Sequence, residues 1–158
     1  MKPLIVGQAP SRIGTGEPFT GPSGRRLCEL MNLPNLEELK QYFDLDNIID
    51  KPVDKRDRKG DTFPRQLARR SATKLLTRED ELGRELIIGC GIHVCRAFGI
   101  GVREFFKLYD IGESGRLRLL SFPHPSGISR FWNDRNNVER ARTWLHIASQ
   151  SFPDRVDV

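Results

Sequence analysis

Long apolar runs are missing from this sequence. No stretch approaches the ~20 consecutive apolar residues that a membrane-spanning helix needs. The beginning of the chain also lacks the apolar core of a signal peptide. On these two absences we expect a cytoplasmic protein that does not act in a membrane.

Cysteine is scarce as well, with 3 in 158 residues. An odd number without framework spacing argues against a disulfide scaffold and for a reducing compartment. Cys90, His93 and Cys95 are soft metal ligands, but a strand-to-helix turn points them in different directions and no fourth ligand is evident. We therefore expect neither a metal nor a cofactor.

Two common phosphate-binding motifs are also missing. No Gly-Lys-Ser/Thr follows a glycine loop, and no Gly-x-Gly-x-x-Gly opens a helix, which argues against a nucleotide-binding P-loop and a dinucleotide fold. The length of 158 residues predicts one domain, residues 1–158. The net charge of +5 suits a polyanionic partner, although it decides little alone.

The most informative stretch is Gly7–Gly24, which contains five glycines and three prolines and so cannot be a helix or a strand interior. It joins an apolar segment, Leu4–Val6, to a helix predicted over 23–31. Such a loop offers backbone N–H groups to an anion or a carbonyl oxygen. Phe19 within it is placed to stack on a planar ligand. The alternatives are that the loop is an irregular connection without a ligand, and that Phe19 is an aromatic residue of the core.

Strands and helices alternate along the chain, which predicts an α/β fold with a parallel sheet covered on both faces. Strands are predicted at Leu4–Val6, Phe43–Ile49, Glu85–Gly89 and Arg116–Phe122. Helices are predicted at Ser23–Met31, Asn35–Tyr42, Pro64–Thr77, Ile92–Phe98, Val102–Leu108 and Asp134–Gln150. Ligands of such folds bind beyond the carboxyl ends of the strands. The glycine loop, Asn47 and His124 all fall at or just past predicted strand ends.

Two motifs identify a family resemblance. Gly7-Gln8-Ala9-Pro10 followed by Gly16-Glu17-Pro18-Phe19-Thr20-Gly21-x-Ser23-Gly24 resembles the first motif of the uracil-DNA glycosylase superfamily. His124-Pro125-Ser126 is similar to the second. The resemblance covers nearly the whole chain and implies a three-layer α/β/α sandwich around a four-stranded parallel sheet. The iron–sulfur branches of the family use four cysteines, which this chain does not have.

The resemblance implies a DNA glycosylase that hydrolyses the N-glycosidic bond of uracil or a related base flipped out of DNA. Phe19 and Gly7 would hold the base, and the Asn47 amide would match the N3–H and O4 of uracil. His124, assisted by loop N–H groups around Gln8, would stabilise the departing pyrimidine anion. Asn47 could equally be bonded to backbone, and His124 could be a turn residue.

The group that activates the water is the open point of this hypothesis. Some branches carry a carboxylate at the second or third place of the Gly-x-x-Pro tetrad, where this chain has Gln8 and Ala9. Glu17, Asp44 and Asp46 are the remaining nearby carboxylates. Two alternatives stay open: a family member specialised for a different modified base, and a DNA- or base-binding protein that has lost catalysis.

DNA is the expected partner, single- or double-stranded, and we expect a monomer. The residues predicted to contact DNA are Ser11, Arg12, Ser23, Ser126, Gly127, Ile128, Ser129 and Arg130. Ile128 would wedge into the gap left by the flipped base, and Arg130 would contact a phosphate. Lys51–Arg78 carries ten Lys/Arg against three Asp and is either an added DNA-backbone contact or a solvated segment.

Overall fold

The computed structural model describes residues 1–10, 16–50, 63–126 and 130–151. Their centre is a five-stranded sheet with strand order β2-β1-β3-β5-β4. The strands are β1 (Leu4–Gly7), β2 (Asp44–Asn47), β3 (Leu86–Cys90), β4 (Leu108–Asp110) and β5 (Arg118–Phe122). β1, β2, β3 and β5 run parallel, and β4 pairs antiparallel with β5.

Helices connect the strands and cover the sheet. They are α1 (Pro22–Leu30), α2 (Leu36–Leu39), α3 (Arg65–Leu82), α4 (Ile92–Ala97) and α5 (Arg135–Ser151), with a short 3-10 helix at Arg130–Asn133. Asn35 caps α2 by accepting the Glu38 N–H at 3.0 Å. Gly83 ends α3 in the left-handed region, where glycine is favoured.

Alternate residues of the central strands enter two separate cores, because successive side chains of a strand point to opposite faces. Ile5 and Ile88 pack with the buried faces of α1, α2 and α5. Val6 and Ile87 pack with α3 and α4. The fold therefore has three layers, helices on each side of one sheet.

The register brings four strand ends to one edge of the sheet. Gly7 pairs with Asn47, and Cys90 pairs with Phe122. The loop after β1, the end of β2, the β3–α4 turn and the segment after β5 therefore meet at the carboxyl edge, where α/β folds bind their ligands.

The predicted fold class is confirmed, since an α/β sheet with four parallel strands lies between two helix layers. The fifth strand, β4, was not predicted, and the helix predicted over Val102–Leu108 is wrong: no helix forms between α4 and β4. The Phe106 N–H instead donates to the Ser121 carbonyl, and Phe106 has a φ of 65°, outside the helical region. The end of this segment therefore pairs with the free edge of β5 and does not form a helix.

A buried ion-pair network lies at the amino edge of the sheet, opposite the carboxyl edge. Glu79 of α3 and Arg84 are 2% and 6% exposed, and their Oε2 and Nε atoms are 2.5 Å apart. Arg84 also contacts Asp44 at 2.9 Å, and Arg78 contacts Glu79 at 3.1 Å. The network connects the end of α3 to the beginning of β2. It was not predicted from the sequence.

Candidate functional site

Phe19 and Asn47 both pack on Gly7. A Cβ atom added to Gly7 would lie 2.9 Å from Cζ of Phe19 and 3.0 Å from Oδ1 of Asn47. Any side chain at this position would therefore displace the ring or the amide. We call Gly7, Phe19 and Asn47 the ring-amide cluster.

Phe19 is held in an unusual backbone conformation. Its φ of 62° lies in the left-handed region, which costs a non-glycine residue on the order of 1–3 kcal/mol. Its carbonyl packs against the first turn of α1, where a Cβ on Gly24 would approach the Phe19 oxygen to 1.7 Å. Gly24 therefore permits a contact that no other residue allows. The ring itself is largely buried, with 8% of the residue exposed.

His124 follows β5 and lies against the β3–α4 turn. A Cβ added to Gly91 would be 3.4 Å from both Cβ and Cδ2 of His124, and 3.6 Å from Nε2 of Gln8. Gly91 also has a φ of 96°, which L residues rarely adopt. The imidazole and the Gln8 amide therefore share the space above this glycine. We call Gln8, Gly91 and His124 the imidazole-amide cluster.

Hydrogen bonds fix the orientation of His124. The Ser126 N–H donates to Nδ1 of His124 at 3.1 Å, and Nε1 of Trp132 donates to the His124 carbonyl at 2.9 Å. Because Nδ1 accepts a hydrogen bond, the neutral ring carries its proton on Nε2. Burial, and secondarily the nearby His93, lower the pKa of His124 below its ordinary value of 6.5. The neutral, Nε2-protonated form is thus favoured.

The two clusters are joined by the consecutive residues Gly7 and Gln8. Their carbonyls accept the Ile48 and Ile49 N–H groups, each at 2.9 Å, so that pairing with the β2 segment continues past the strand end. An aromatic ring, two amides and an imidazole are therefore gathered at one edge of the sheet. Such a set can stack on a planar group, read its polar edge and donate to an oxygen.

Comparison with known families gave a match to this chain. The sequence model of the Uracil DNA glycosylase superfamily matches residues 1–148. The chain belongs to the uracil DNA glycosylase superfamily. The match includes both clusters and every strand of the sheet. Comparison with curated proteins gave no match. The family predicted from the sequence is confirmed.

Other residues predicted for the glycosylase site occupy the surroundings of the clusters. Ala9 is half-buried and packs on the α3–α4 core. Ser23 lies in the first turn of α1, and the helix is capped by Gly21, so the predicted start at Ser23 is one residue late. Ser126 orients His124 through its N–H, and Arg130 is exposed at the start of the 3-10 helix.

Glu17 has a different partner. Its carboxylate is exposed and lies 3.7 Å from Nζ of Lys40, which also contacts Glu37 at 3.1 Å. The remaining predicted DNA contacts fall outside the described residues: Ser11, Arg12, Gly127, Ile128 and Ser129. The same holds for residues 51–62 of the predicted basic segment.

Three residues of the site were missed by sequence reasoning: Gly91, His93 and Trp132. Gly91 directly follows an apolar strand, and this position was the signal that its missing Cβ makes room for neighbouring side chains, here those of His124 and Gln8. His93 was weighed only as a metal ligand. Trp132 had no sequence signal, because its hydrogen bond to the His124 carbonyl depends on how the chain returns after the segment 127–129.

The cysteines do not assemble into a metal site. Cys90 belongs to the core under α1 and α5, whereas Cys95 belongs to the core under α3 and α4. Burial raises the pKa of Cys95 to about 12, and that of Cys90 well above its ordinary value. Among the described residues, no group of three or more His, Cys, Asp or Glu side chains is arranged to hold a metal ion. In the same part of the chain, no helix combines the length and apolarity needed to cross a membrane.

Proposed function

We propose that this superfamily member is a DNA glycosylase that hydrolyses the N-glycosidic bond of uracil, or of a related modified base, flipped out of DNA. Family membership implies glycosylase-type chemistry on DNA. One observation carries the assignment for this chain: Phe19 and Asn47 pack on Gly7, directly before Gln8, which lies beside His124. A stacking ring, a base-reading amide and a hydrogen-bond donor are thus brought to one edge of the sheet.

Extrusion of a base from DNA costs a few kcal/mol of unstacking and unpairing. Stacking on Phe19 offsets about 1–3 kcal/mol of it. The ring is rigidly held for this role, because its Cζ packs on Gly7 and the Phe19 backbone packs closely against Gly24 of α1. The Asn47 side chain has one acceptor and two donors, which match the N3–H and O4 of uracil.

Cleavage of the bond to C1′ leaves negative charge on the base and positive charge on the sugar. His124 donates from Nε2 to the O2 oxygen where the negative charge develops, and backbone N–H groups around Gln8 assist. The Ser126 N–H on Nδ1 keeps the proton on Nε2 before substrate arrives. The lowered pKa of His124 keeps the ring neutral, so that its function is to donate a hydrogen bond without adding a full charge.

Water adds to C1′ on the face opposite the departing base, and its proton must be accepted. Gln8 and Ala9 occupy the two places where some family branches carry a carboxylate, and neither accepts a proton. Glu17 remains a proposal for this role, but its carboxylate is drawn to Lys40 at 3.7 Å. We infer that water is positioned by the Gln8 amide and that stabilisation of the leaving anion supplies most of the rate enhancement.

Contacts to the DNA backbone are proposed for Ser23, Ser126 and Arg130. The first lies at the beginning of α1, and the other two flank the segment 127–129. This proposal extends to Ser11, Arg12, Gly127, Ile128 and Ser129, whose assignment depends on the sequence motifs alone.

A second candidate is a base-binding protein that kept the pocket and lost catalysis. The observation that favours it is the Gln8 amide, which lies near His124. Gln8 occupies a place in the Gly-x-x-Pro tetrad where a carboxylate would activate water. Both candidates predict binding of a flipped base, and only the first predicts a product.

Incubation with oligonucleotides separates the candidates. Single- and double-stranded DNA carrying uracil, hydroxymethyluracil or hypoxanthine is treated with the protein and then with alkali, which cleaves at abasic sites. Strand cleavage that depends on the modified base establishes the glycosylase and its preference. Tight binding without cleavage of any of these substrates would support the base-binding protein. The absence of both binding and cleavage would contradict both proposals.

A further inference from the structure

A cavity lies between the beginning of α3 and the end of α4. It has a volume of about 360 Å³, and Phe63, Arg65, Arg69, His93 and Arg96 are among its lining residues. Neither motif of the candidate site contributes to it. The cavity therefore needs a separate account.

Among the described residues, no carboxylate balances the positive charge of this cavity. Arg65, Arg69 and Arg96 are exposed, and within the described residues none of them lies within ion-pair distance of a carboxylate. By contrast, Arg78, Arg84 and Arg142 are paired. Arg65 and Arg69 are also spaced i, i+4 on α3, a spacing at which like charges destabilise a helix. A bound phosphate would relieve this repulsion, and the N-terminal end of the 18-residue α3 adds a favourable dipole.

The cavity also has an aromatic wall. The rings of Phe63 and His93 are stacked with centroids 4.8 Å apart and planes inclined by 19°. The His93 ring thereby holds Phe63 flat, which lowers the entropic cost of stacking a further ring on it. Guanidinium groups beside an aromatic platform are the combination that binds a single-stranded nucleotide.

The cavity is close to the candidate site. The side chains of His124 and Gln8 lie near Gly91, the residue directly before α4, and Arg96 is on α4. Five residues at about 1.5 Å each span roughly 8 Å along the helix, so the two places are near each other. A strand whose flipped base occupies the candidate site can therefore reach the cavity.

We propose that this cavity is a nucleotide subsite that holds a neighbour of the excised residue, its base on Phe63 and its phosphate on Arg65, Arg69 and Arg96. The identification of the strand as DNA rests on the proposed function. The subsite would favour single-stranded or locally opened substrate, because the neighbouring base must leave its stack to reach Phe63.

The charge contribution is tested with Arg69→Ala/Arg96→Ala. Its matched control is Arg116→Ala/Arg118→Ala, which removes the same charge near the amino end of β5, at the other side of the sheet. Binding of a fluorescent single-stranded oligonucleotide is measured between 50 and 300 mM salt, about the range where counterion release is measurable. The slope of log Kd against log salt should fall by about 1.4 for the cavity variant, at about 0.7 per lost contact, and by less than half as much for the control. Equal slopes for both double variants would overturn the subsite.

The aromatic contribution is tested with Phe63→Leu and Phe63→Tyr. The leucine variant should raise Kd about five- to a hundred-fold with an unchanged salt slope, and tyrosine should restore binding, because stacking needs a ring. Equal loss with leucine and tyrosine would contradict stacking.

Competition separates a strand from a free ligand. Thymidine monophosphate or inorganic phosphate at micromolar concentration should not displace the oligonucleotide, and displacement by either would overturn the assignment to a DNA strand. Base excision is assayed separately. If the cavity variants still excise the base and bind the strand with unchanged affinity, the subsite alone is refuted. If strand binding depends on the arginines but no base is excised, the glycosylase alone is refuted.

Discussion

The Ser126 N–H donates to Nδ1 of His124 at 3.1 Å, across a separation of two residues. This contact determines which nitrogen of the imidazole carries the proton, and so aims an N–H donor away from the backbone. The Trp132 side chain holds the carbonyl of the same histidine. The donor is therefore preorganised, which is the property that makes hydrogen bonds to a developing anion effective.

Replacement His124→Ala should lower the single-turnover excision rate by roughly ten- to a thousand-fold while leaving DNA affinity nearly unchanged, on the scale of one lost oxyanion donor. Rapid-quench kinetics and fluorescence anisotropy measure the two quantities. His146→Ala, in an exposed position of α5, is the matched control. A variant that binds DNA poorly but cleaves at the normal single-turnover rate would remove His124 from the chemical step.

The pH dependence of His124 follows from its burial. Because burial lowers the pKa in the folded state below the ordinary 6.5, the unfolded chain takes up a proton first as the pH falls. The contribution of His124 to folding stability is thus complete above pH 6.5 and decreases below it, until the folded ring also protonates. The midpoint of any His124 titration in the excision rate should therefore lie below pH 6.5.

NMR titration of the histidine Cε1–H resonances checks this prediction, with His124→Ala to assign the signal. The His124 midpoint should lie below 6.5 and should rise in His93→Ala, because His93 is the second cause of the shift. A midpoint at or above 6.5 in the unaltered protein would show that the ring is solvated and not held as described.

Replacement Gly7→Ala should abolish most activity. The new Cβ would lie 2.9 Å from Phe19 Cζ and 3.0 Å from Asn47 Oδ1, so the ring or the amide must move. We expect at least a ten-fold lower excision rate and a loss of stability of about 1–3 kcal/mol. Gly83→Ala is the control, since it meets no atom within 4 Å but is strained by its φ of 81°, which costs about 1–2 kcal/mol. If both variants lose activity equally, instability and not the site explains the effect.

The sequence predicted the parts of the molecule that depend on local pattern. The apolar strands, the amphipathic helices and the family motifs each lie within a short window, and Gly7, Asn47 and His124 were correctly placed at strand ends. The edge strand β4 was not predictable in this way. Residues 102–108 have a helix-like pattern alone, but Leu108 begins β4 and pairs with Leu120 of β5, a contact that no local pattern reveals.

Long-range polar contacts were equally inaccessible from the sequence. Arg84 contacts Asp44 across 40 residues and Glu79 across five, and the sequence offers many carboxylates to an arginine. The approach of Gln8 and His124 to Gly91 is of the same kind, because it exists only when β1 and β5 lie on either side of β3. The family motifs indicated which residues belong to the site but not which residues orient them.

Replacement Glu79→Ala should destabilise the fold without changing base preference. Glu79 and Arg84 are both buried, and removal of the carboxylate leaves a guanidinium whose remaining ionic partner, in the described part of the chain, is the partly exposed Asp44. Breaking one side of a buried pair costs about 3–5 kcal/mol. Urea unfolding measures the loss, with Glu81→Ala, exposed on the same helix, as control. A loss below about 1 kcal/mol, typical of an exposed pair, would show that the network contributes little.

Replacement Gln8→Asp tests the missing water-activating group. The Gln8 side chain lies beside His124, so a carboxylate there would be within reach of the water that attacks C1′. General-base catalysis contributes about 10²–10⁴-fold, but the shorter side chain and the new charge beside His124 will offset part of it. We therefore expect the single-turnover rate to rise about ten- to a hundred-fold.

Gln8→Asn is the matched control, because it shortens the side chain equally and cannot accept a proton. Only the aspartate variant should gain a rate that increases with pH through the range of a carboxylate, near a pKa of about 4. An increase in both variants would mean that side-chain length limits the reaction. No increase in either variant would mean that proton acceptance by residue 8 does not limit it, and that stabilisation of the leaving base by His124 carries the catalysis alone.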